Sequence, residues 1–377
     1  MPTVRVAHAT GHYTVHIEPG ALLALPELLG ATLPRRKLVL VTDDIVGRYY
    51  DEWTRATAEA RALGARSSDA GIRLRCEARL SFPAGEESKT RETWARLSDE
   101  MLRLGLDRDT AVVALGGGVV GDLAGFVAAT FLRGVPYAQV PTTLLAMLDA
   151  SVGGKVGVDT ATGKNLIGAF HPPAIVVADP LTLLSLPDRV FRSGLAEAVK
   201  HGLIADAGYF AWIETNARRL LARDLESLTH LVHRSVELKA EVVAADEREG
   251  GRRAILNAGH TIAHGLELAA GYQLPHGEAV ALGLLAETRI AERLGLAPEG
   301  LAERVLGVLR ALGLPTRAGS GAPVARVLEA MRHDKKNREG AVRLALPRGL
   351  GQMHEGDGRW TIPVTEDHLA AAVAGLA

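Results

Sequence analysis

The first half of the chain alternates continuous apolar runs with amphipathic stretches. The apolar runs are KLVLVTD (37–43), TAVVALGG (110–117), YAQVPTT (137–143) and AIVVADP (174–180). Helical patterns such as KTRETWARLSDEMLRLGL lie between them. Buried apolar strands that alternate with amphipathic helices indicate a mostly parallel sheet covered on both faces. The sequence therefore predicts an α/β domain.

After about residue 181 the strand signals nearly vanish. The stretches LPDRVFRSGLAEAVKHGLIAD, LTHLVHRSVELKAEVVAADERE and HGEAVALGLLAETRIAERLG carry apolar residues at helical spacing. A short segment, AVRLALP near 341–347, is a candidate strand. We therefore predict an α/β domain over 1–180 and a helical domain over 181–377, with a ligand-binding cleft between them.

The composition argues against several classes of function. The 377 residues carry 43 basic and 44 acidic groups, a balance that offers no electrostatic footprint for nucleic acid or an anionic membrane. No run reaches the roughly 18 consecutive apolar residues of a membrane helix, and MPTVRVAHATGHY lacks the apolar core of a signal peptide. The single cysteine, Cys76, excludes an intrachain disulfide. We expect a cytoplasmic protein that binds neither nucleic acid nor membrane.

A glycine-rich turn, ALGGGVVGDLAGF, follows a predicted strand and opens a predicted helix. Gly116, Gly118 and Gly121 satisfy the G-x-G-x-x-G spacing, with which helix N-terminal amides hold a pyrophosphate. Tight packing is an equally good explanation of such a turn. VPTT stands where a ribose-binding acid would end the next strand, so Asp44 or Glu86 would have to supply that acid. The turn indicates a nucleotide site of another topology, or none.

Lysine is scarce in this chain, so the positions that keep it are informative. Of the 43 basic residues, 35 are arginine and eight are lysine. The segment DASVGGKVGVDTATGKNLIG (149–168) holds Lys155, Lys164 and Asn165 among five glycines. Two lysines on a charged, glycine-rich loop suit a phosphate or a carboxylate. A solvated loop is the alternative, but the scarcity of lysine favours ligand binding.

Histidines and glutamates group at three helix-associated positions in the second half. They are Glu197 with His201 in GLAEAVKHG, His260 with His264 in NAGHTIAHG, and His276 with Glu278 in LPHGEAV. With one cysteine in the chain, a zinc ion would have to take its ligands from His, Asp and Glu. The grouping favours a catalytic metal with an open coordination position.

The pair His260 and His264 lies four residues apart and therefore on one helical face. The pair lacks the H-E-x-x-H pattern of zinc proteases, because position 261 is Thr. Arg253 and Asn257 precede it by two turns and one, which suggests that the same face also holds substrate. Spacing leaves two alternatives equally open: the two histidines share a metal, or each has its own task.

Together these motifs resemble those of the 3-dehydroquinate synthase family. The matching segments run in order from about residue 80 to 340: GGGVVGDLAGFVAATFLRGV, VPTTLLAMLDASVGGKVGVDTATGKNLIGAFHPP, SGLAEAVKHGLI, DEREGGRRAILNAGHTIAHGLE, HGEAVALG and DKKNREG. YTVHIEPGAL fits the start of the family. The resemblance implies a Rossmann-like nucleotide-binding α/β domain followed by an all-α metal-binding domain. It also implies an NAD- and metal-dependent lyase, with zinc or cobalt, that makes 3-dehydroquinate and phosphate from 3-deoxy-D-arabino-heptulosonate 7-phosphate in the shikimate pathway.

By position, the resemblance implies a role for most of the scarce polar residues. The metal ligands would be Glu197, His260 and His276, and the other catalytic groups would be Lys155, Lys200, Lys239, Glu249 and His264. His264 would serve a proton relay with Glu249 instead of the metal. The substrate contacts would be Arg133, Asp149, Lys155, Asn165, Lys200, Arg253, Asn257, Lys335 and Lys336, with Arg133 acting across a homodimer interface. The NAD contacts would be Asp44, Glu86, Lys89, Gly117, Gly118, Val119, Val120, Gly121, Asp122, Thr142, Thr143, Asp149, Lys164, Thr182 and Ser185.

The chain departs from the family at Asp159, where asparagine is common. Two rival enzymes remain. One is a sister sugar-phosphate cyclase acting on sedoheptulose 7-phosphate or an amino analogue, with the same cofactors. The other is a metal-dependent glycerol or alcohol dehydrogenase, which would release NADH instead of regenerating NAD within each turnover. A nucleotide-sensing scaffold on the same fold is a non-enzymatic alternative.

Overall fold

The apolar runs of the first half form one seven-stranded sheet in the computed structural model, which describes residues 2–51, 76–160, 163–319, 323–332, 342–356 and 358–376. Its strands are β1 (Thr3–His8), β2 (Gly11–Ile17), β3 (Lys37–Asp43), β4 (Cys76–Phe82), β5 (Thr110–Gly116), β6 (Tyr137–Pro141) and β9 (Ile175–Ala178). A separate antiparallel hairpin consists of β7 (Lys155–Thr160) and β8 (Gly163–Phe170). The order in the large sheet is β1-β2-β9-β6-β5-β3-β4. The β1–β2 pair is antiparallel and the other pairs are parallel, which confirms the predicted sheet.

Helices cover both faces of this sheet. They are α1 (Leu25–Thr32), α2 (residues 44–51), α3 (Arg91–Arg103) and α4 (Gly118–Thr130). Successive strand side chains point to opposite faces, and β3 shows the consequence. Val39 and Val41 belong to the core cluster that includes α3 and α4, whereas Leu38 and Leu40 belong to the cluster that includes α1. Burial on both faces explains why these strands are continuous apolar runs.

The glycine-rich segment 149–168, predicted as a loop, is in large part the β7–β8 hairpin. This prediction was wrong because the glycines allow close strand pairing there. A Cβ at Gly157 would lie 2.6 Å from the Ile167 carbonyl oxygen, and one at Gly168 would lie 2.2 Å from that of Val156. Glycine content often indicates an irregular backbone, but here it reflects backbones that approach each other.

The second half is helical. Its helices are α5 (Asp188–Ala205), α6 (Ala207–Leu221), α7 (Leu225–Ala245), α8 (His260–Ala269), α9 (His276–Arg293), α10 (Leu301–Ala311), α11 (Val324–Arg332) and α12 (Glu366–Ala374). Two short antiparallel pairs accompany them: β10 (Val342–Leu344) with β13 (Ile362–Val364), and β11 (Pro347–Gly349) with β12 (Gln352–Met353). The candidate strand near 341–347 is confirmed at β10, while β12 and β13 were not predicted. Among the described residues, none of the helices combines the length and hydropathy that a bilayer crossing requires.

The chain divides into two units, Met1–Leu183 and Leu184–Ala377. The predicted boundary at residue 180 falls three residues before this division.

Asp caps begin two helices of the second unit. Asp206 accepts the backbone N–H of Tyr209 at 3.0 Å to begin α6, and Asp224 accepts that of Ser227 at 2.9 Å to begin α7.

Candidate functional site

Three predicted metal ligands of the second unit converge. Glu197, His260 and His276 each offer one ligand atom within 4.8 Å of the other two. The Glu197 Oε1 atom lies 3.6 Å from His260 Nε2 and 3.5 Å from His276 Nε2. Tetrahedral coordination with bonds of about 2.0–2.2 Å places neighbouring ligand atoms about 3.3–3.6 Å apart. The spacing and the donor set of two imidazoles and a carboxylate therefore fit a zinc-sized cation.

Close approach of α5 and α9 brings Glu197 to His276. Gly277 is the second residue of α9, and a Cβ there would lie only 1.8 Å from the Ser193 carbonyl oxygen on α5. The Gly277 N–H donates to Ser193 Oγ at 3.1 Å. Because Ser193 lies one turn before Glu197, glycine at 277 is what allows the first turn of α9 to lie against the turn of α5 that carries Glu197.

A second glycine contact positions His260. Gly259 has a left-handed φ of 78° and immediately precedes α8. Its N–H donates to Glu287 Oε2 on α9 at 2.7 Å, and a Cβ at Gly283 would lie 1.9 Å from its carbonyl oxygen. The start of α8 is therefore held against the middle of α9. Neither constraint can be read from the ligand motifs themselves.

The Nδ1 atom of each candidate ligand histidine faces an oxygen. His260 Nδ1 lies 3.1 Å from the Ala258 carbonyl oxygen. Since a carbonyl only accepts, Nδ1 carries the proton and Nε2 keeps its lone pair on the side of Glu197. His276 Nδ1 lies 3.5 Å from Glu267 Oε2. Both Nε2 atoms thus face the point where a cation would lie.

Burial and neighbouring charges act on the two histidines in opposite ways. Burial lowers the pKa of His260 well below its usual value, and the ammonium of Lys200 lowers it further. Burial alone would also lower the pKa of His276, but its interactions with Glu197 and Glu267 outweigh burial and raise the pKa to about 9. The carboxylates around His276 therefore favour a positive charge at this position.

His264 lies beside the convergent group without belonging to it. Its ring centroid is 5.8 Å from that of His260, with the ring planes 89° apart, and 6.4 Å from that of His276. The group whose ligand atoms converge contains His260 but not His264. Among the alternatives that spacing left open, the geometry favours separate tasks for the two histidines.

Two predicted lysines of this unit are buried. Lys200 lies one turn after Glu197, is 1% exposed and forms an ion pair with Glu197 Oε2. Lys239 is buried on α7. Few lysines are buried in folded proteins unless a charge or a ligand compensates them, so these two are set apart from ordinary surface lysines. Lys335 and Lys336 lie outside the described residues.

Arg253 and Asn257 lie on the short helical segment Arg252–Asn257 that leads to α8. Arg253 is 2% exposed, and its Nη1 donates to the Glu247 carbonyl oxygen. Asn257 Nδ2 donates to Glu249 Oε1 at 2.5 Å. The structure thus pairs two of the residues predicted to serve the substrate and the proton relay.

Asp246, which the sequence motifs did not single out, shapes this segment. Its carboxylate accepts the backbone N–H groups of Gly250 at 2.9 Å, Gly251 at 2.7 Å and Arg253 at 3.0 Å. Burial would raise the pKa of Asp246, but these donors outweigh burial and lower it. An aspartate at the end of a helix, followed by EREGG, is a turn signal that could have identified it.

In the first unit, the glycine turn lies at the carboxyl ends of the parallel strands. The chain leaves β3 for β4 on one side of the sheet and leaves β5 for β6 on the other, so the strand order reverses between β3 and β5. Ligands of open α/β sheets bind at such a reversal. Gly117 and Gly118 follow β5, and Asp44 follows β3. The topology therefore places the candidate ribose-binding acid beside the candidate pyrophosphate turn.

The glycines of the turn also serve packing, as the alternative interpretation held. A Cβ at Gly121 would lie 2.5 Å from Gln139 Oε1, so glycine lets α4 approach β6. A Cβ at Gly117 would lie 3.1 Å from a side-chain atom of Thr143. Thr142 donates its N–H to the Gly116 carbonyl oxygen at 2.9 Å. Tight packing and a helix N-terminus thus coexist in one turn.

The structure connects several other predicted residues of the first unit in one cluster. Lys89 is 4% exposed, and its Nζ donates to Asp122 Oδ2 and to Asn165 Oδ1, both at 2.6 Å. Asn165 in turn donates its N–H to Asp159 Oδ1 at 2.8 Å. Burial would lower the pKa of Lys89, but Asp122, Glu86 and Asp159 outweigh burial and raise it above its usual value. We name Lys89, Asp122, Asn165 and Asp159 the lysine cluster.

The remaining predicted residues have diverse surroundings. Lys164 Nζ lies 3.5 Å from Glu86 Oε1. Thr182 Oγ1 donates to the Asp179 carbonyl oxygen at 2.8 Å. Arg133 is exposed, with a left-handed φ of 69°. The others are Val119 and Val120 on the first turn of α4, Asp149 on a π-helical turn, Lys155 at the start of β7, and Ser185 at the start of the second unit.

The first unit is built on a Rossmann-like, mostly parallel sheet, and the second unit is helical and carries a convergent His–His–Glu group. These features define the class of the protein: an α/β unit followed by a helical unit. Within it, the chain belongs to the 3-dehydroquinate synthase family. The family models described as 3-dehydroquinate synthase N-terminal and C-terminal match residues 79–193 and 194–337. The 3-dehydroquinate synthase of Symbiobacterium thermophilum is 47% identical over 343 residues, which are 90% of this chain and 92% of that protein.

Two solved structures show the same fold. A 2-deoxy-scyllo-inosose synthase complexed with carbaglucose-6-phosphate, NAD+ and Co2+ is 27% identical, with a TM-score of 0.85 over 99% of both chains. The 2-epi-5-epi-valiolone synthase of Streptomyces hygroscopicus subsp. jinggangensis 5008, with NAD+ and Zn2+ bound, is 30% identical, with a TM-score of 0.84 over 100% of this chain and 98% of that one. The predicted fold class is confirmed.

Proposed function

We propose that the protein is a 3-dehydroquinate synthase that converts 3-deoxy-D-arabino-heptulosonate 7-phosphate to 3-dehydroquinate and phosphate in the shikimate pathway. The observation that carries the proposal is the convergence of Glu197, His260 and His276 in a chain 47% identical to a curated synthase. The proposed cofactors are NAD and zinc or cobalt. The related cyclases hold NAD+ with Co2+ or Zn2+, and the ligand set here suits either metal.

Bound metal would acidify a substrate hydroxyl, and bound NAD would accept a hydride and later return it. Glu197, His260 and His276 would hold the metal. His264 would pass on the proton of the reacting hydroxyl, together with Glu249, whose carboxylate accepts from Asn257. Oxidation of that hydroxyl to a ketone would acidify the proton on the neighbouring carbon. Phosphate would then be eliminated, with one of its own oxygens taking up that proton. Ring opening and aldol closure follow, and these steps need mainly a substrate held in one conformation.

Cationic side chains would bind the substrate and hold it in place. Lys200, Lys239 and Arg253 are buried, and cations in surroundings of low dielectric constant bind carboxylate and phosphate strongly. We propose the same task for Lys155, Lys335 and Lys336, and we propose that Asp149 and Asn165 are further substrate contacts. We further propose that the protein is a cytoplasmic homodimer. Arg133, which is exposed in this chain, would contact the phosphate of the substrate bound to the second subunit.

The NAD site would lie at the strand-order reversal of the first unit. The amides of Gly117, Gly118, Val119 and Val120 would face the pyrophosphate at the N-terminus of α4, and Gly121 gives α4 the close packing it needs. Asp44 would contact the ribose. Further contacts are proposed for Glu86, Lys89, Asp122, Thr142, Thr143, Asp149, Lys164, Thr182 and Ser185.

Sequence identity favours a 3-dehydroquinate synthase over a sister cyclase. The chain is 47% identical to a 3-dehydroquinate synthase, against 27% and 30% to the two other sugar-phosphate cyclases. We therefore propose the heptulosonate phosphate as substrate instead of sedoheptulose 7-phosphate.

One assay tests the function. Purified protein, heptulosonate phosphate, NAD+ and Zn2+ are followed for inorganic phosphate and for NADH absorbance, with and without chelator. We expect phosphate release that chelator abolishes, without accumulation of NADH. Stoichiometric NADH would indicate a dehydrogenase, and release only from sedoheptulose 7-phosphate would indicate a sister cyclase. Either result would refute the proposal.

A further inference from the structure

Glu267 is a buried carboxylate that none of the roles above uses. It lies on α8, seven residues after His260, and is 1% exposed. Its neighbours on the helix include the buried Ile262, Ala263 and Leu266. An apolar side chain would suit that core, because burying a carboxylate costs free energy unless a cation or a hydrogen-bond donor compensates it. The position therefore needs an explanation from its polar surroundings.

The ring of His276 provides that explanation. Glu267 Oε2 lies 3.5 Å from His276 Nδ1, while His276 Nε2 lies 3.5 Å from Glu197 Oε1. One imidazole therefore bridges the two buried carboxylates, with one nitrogen directed to each. A histidine that gives Nε2 to a metal must carry its proton on Nδ1, and it needs an acceptor there.

The two ligand histidines meet this need in different ways. His260 faces the backbone carbonyl of Ala258 through Nδ1 at 3.1 Å, so mutation cannot remove its acceptor. His276 is the first residue of α9 and faces a side chain. Glu267 also brings a negative charge that Ala258 does not, and this charge makes the imidazole a more basic ligand.

We propose that Glu267 is a positioning residue of the metal centre that fixes His276 as the Nδ1–H tautomer and orients Nε2 to the metal. The inference rests on the metal centre of the proposed function. Glu267 does not touch the metal or the substrate. It acts through His276, and its effect is on metal affinity before it is on turnover.

The test compares Glu267→Leu with Glu267→Gln, whose amide oxygen still accepts from Nδ1–H. Zinc affinity of the purified full chain is measured by competition with a chromophoric chelator. Loss of an outer-shell partner typically weakens metal binding about 10- to 100-fold, and we expect this loss in Glu267→Leu and a smaller one in Glu267→Gln. The control, Glu292→Leu, removes a carboxylate on α9 that accepts the Ala302 N–H and should leave zinc affinity unchanged.

A second readout follows the tautomer directly. Nitrogen-15 spectra of the zinc-loaded protein should show His276 Nδ1 protonated in the wild type and in Glu267→Gln, and a changed signal in Glu267→Leu. A folded Glu267→Leu variant with wild-type zinc affinity and spectrum would overturn the proposal and leave the metal centre intact. Equal losses in both variants would overturn the tautomer role. A wild-type protein that binds no zinc would refute the proposed function itself, and the role of Glu267 with it.

Discussion

Each unit of the molecule holds a cluster of charged and polar side chains around a buried lysine, and the two clusters differ in spacing. In the lysine cluster, Lys89 lies 2.6 Å from both Asp122 and Asn165, which are direct hydrogen-bond distances. In the proposed metal centre, Glu197 Oε1 lies 3.5–3.6 Å from the nitrogens of His260 and His276. The cation of the lysine cluster, Lys89, contacts its partners directly. In the proposed metal centre Lys200 pairs with Glu197 Oε2, but Glu197 Oε1 and the two Nε2 atoms keep the separations of ligands around a cation.

This difference shows that burial of charged groups is a weak indicator of a metal site. Both clusters combine acidic groups with a buried lysine, and both contain residues predicted to be functional. What separates them is whether the ligand atoms contact each other directly or keep the spacing set by metal bonds of about 2 Å. The following predictions test this comparison, beginning with the largest effect.

Removal of a metal ligand should have the largest effect. His276→Ala takes away one of the three proposed protein ligands, so we expect tight zinc binding to be lost and phosphate release to fall below detection. Zinc content after dialysis and the phosphate assay measure both. Full zinc occupancy in this variant would show that the convergence of the three residues has another cause.

His264→Ala should separate chemistry from metal binding. Because His264 lies outside the convergent group, we expect zinc affinity close to wild type. Loss of a proton-transferring group typically lowers turnover about 10²- to 10⁴-fold, and kcat should fall in that range. Zinc loss equal to that of His276→Ala would instead support a metal shared by His260 and His264.

Lys89→Met should destabilise the lysine cluster. It leaves Asp122 without its buried cation, and breaking a buried ion pair costs about 3–5 kcal/mol. Urea unfolding measures this change. The control, Lys37→Met, breaks the exposed pair with Asp107 and should cost about 0–1 kcal/mol. A cost in Lys89→Met no larger than that in Lys37→Met would contradict the role of Lys89 in compensating the acidic groups of the lysine cluster.

Gly277→Ala should disturb the metal centre through helix packing. The new Cβ would meet the Ser193 carbonyl oxygen at 1.8 Å, and overpacking of this kind costs about 1–3 kcal/mol. We expect weaker zinc binding as well, since α5 and α9 must move apart. Gly307→Ala is the matched control, because no atom lies within 4 Å of a Cβ there, and it should be neutral or stabilising. Wild-type zinc affinity in Gly277→Ala would refute this role of the glycine.

Asp159→Asn should have the smallest effect, and it should depend on pH. Burial raises the pKa of Asp159, although Lys89 opposes this shift. At neutral pH the carboxylate is therefore less favourable in the folded state than in the unfolded state, and its ionisation lowers the free energy of unfolding. Asparagine keeps an acceptor for the Asn165 N–H and removes that cost. We expect a slightly higher Tm for the variant at pH 7 and a smaller difference at pH 4. A difference that grows on acidification would contradict the direction of the shift.

Much of the first unit could be predicted from local pattern. β3 matches its predicted run, and β5, β6 and β9 lie within theirs, because strands buried on both faces are apolar at every position. β1, β2 and β4 were not predicted. The hairpin β1–β2 carries apolar residues on alternate positions and polar ones between them, a weaker signal over so few residues.

The site was predictable as a set of residues but not as a geometry. The resemblance named Glu197, His260 and His276, while spacing could not decide whether His260 pairs with His264. Neither spacing nor the resemblance predicted a role for Asp246 or Glu267. Both lie at an end of the matching segment DEREGGRRAILNAGHTIAHGLE, but their roles depend on tertiary contacts: Asp246 accepts backbone amides, and Glu267 faces an imidazole on another helix.

The sequence by itself determined the order of the elements, the change from sheet to helices, and the supply of imidazoles and carboxylates on particular helical faces. These are local properties, because periodicity acts over a few residues. Only the tertiary structure decided which of these groups face one another. Glu197 and His276 lie on different helices, and the separation of those helices depends on backbone contacts at Gly277 and Gly259. Such contacts depend on packing between distant segments, which no local pattern encodes.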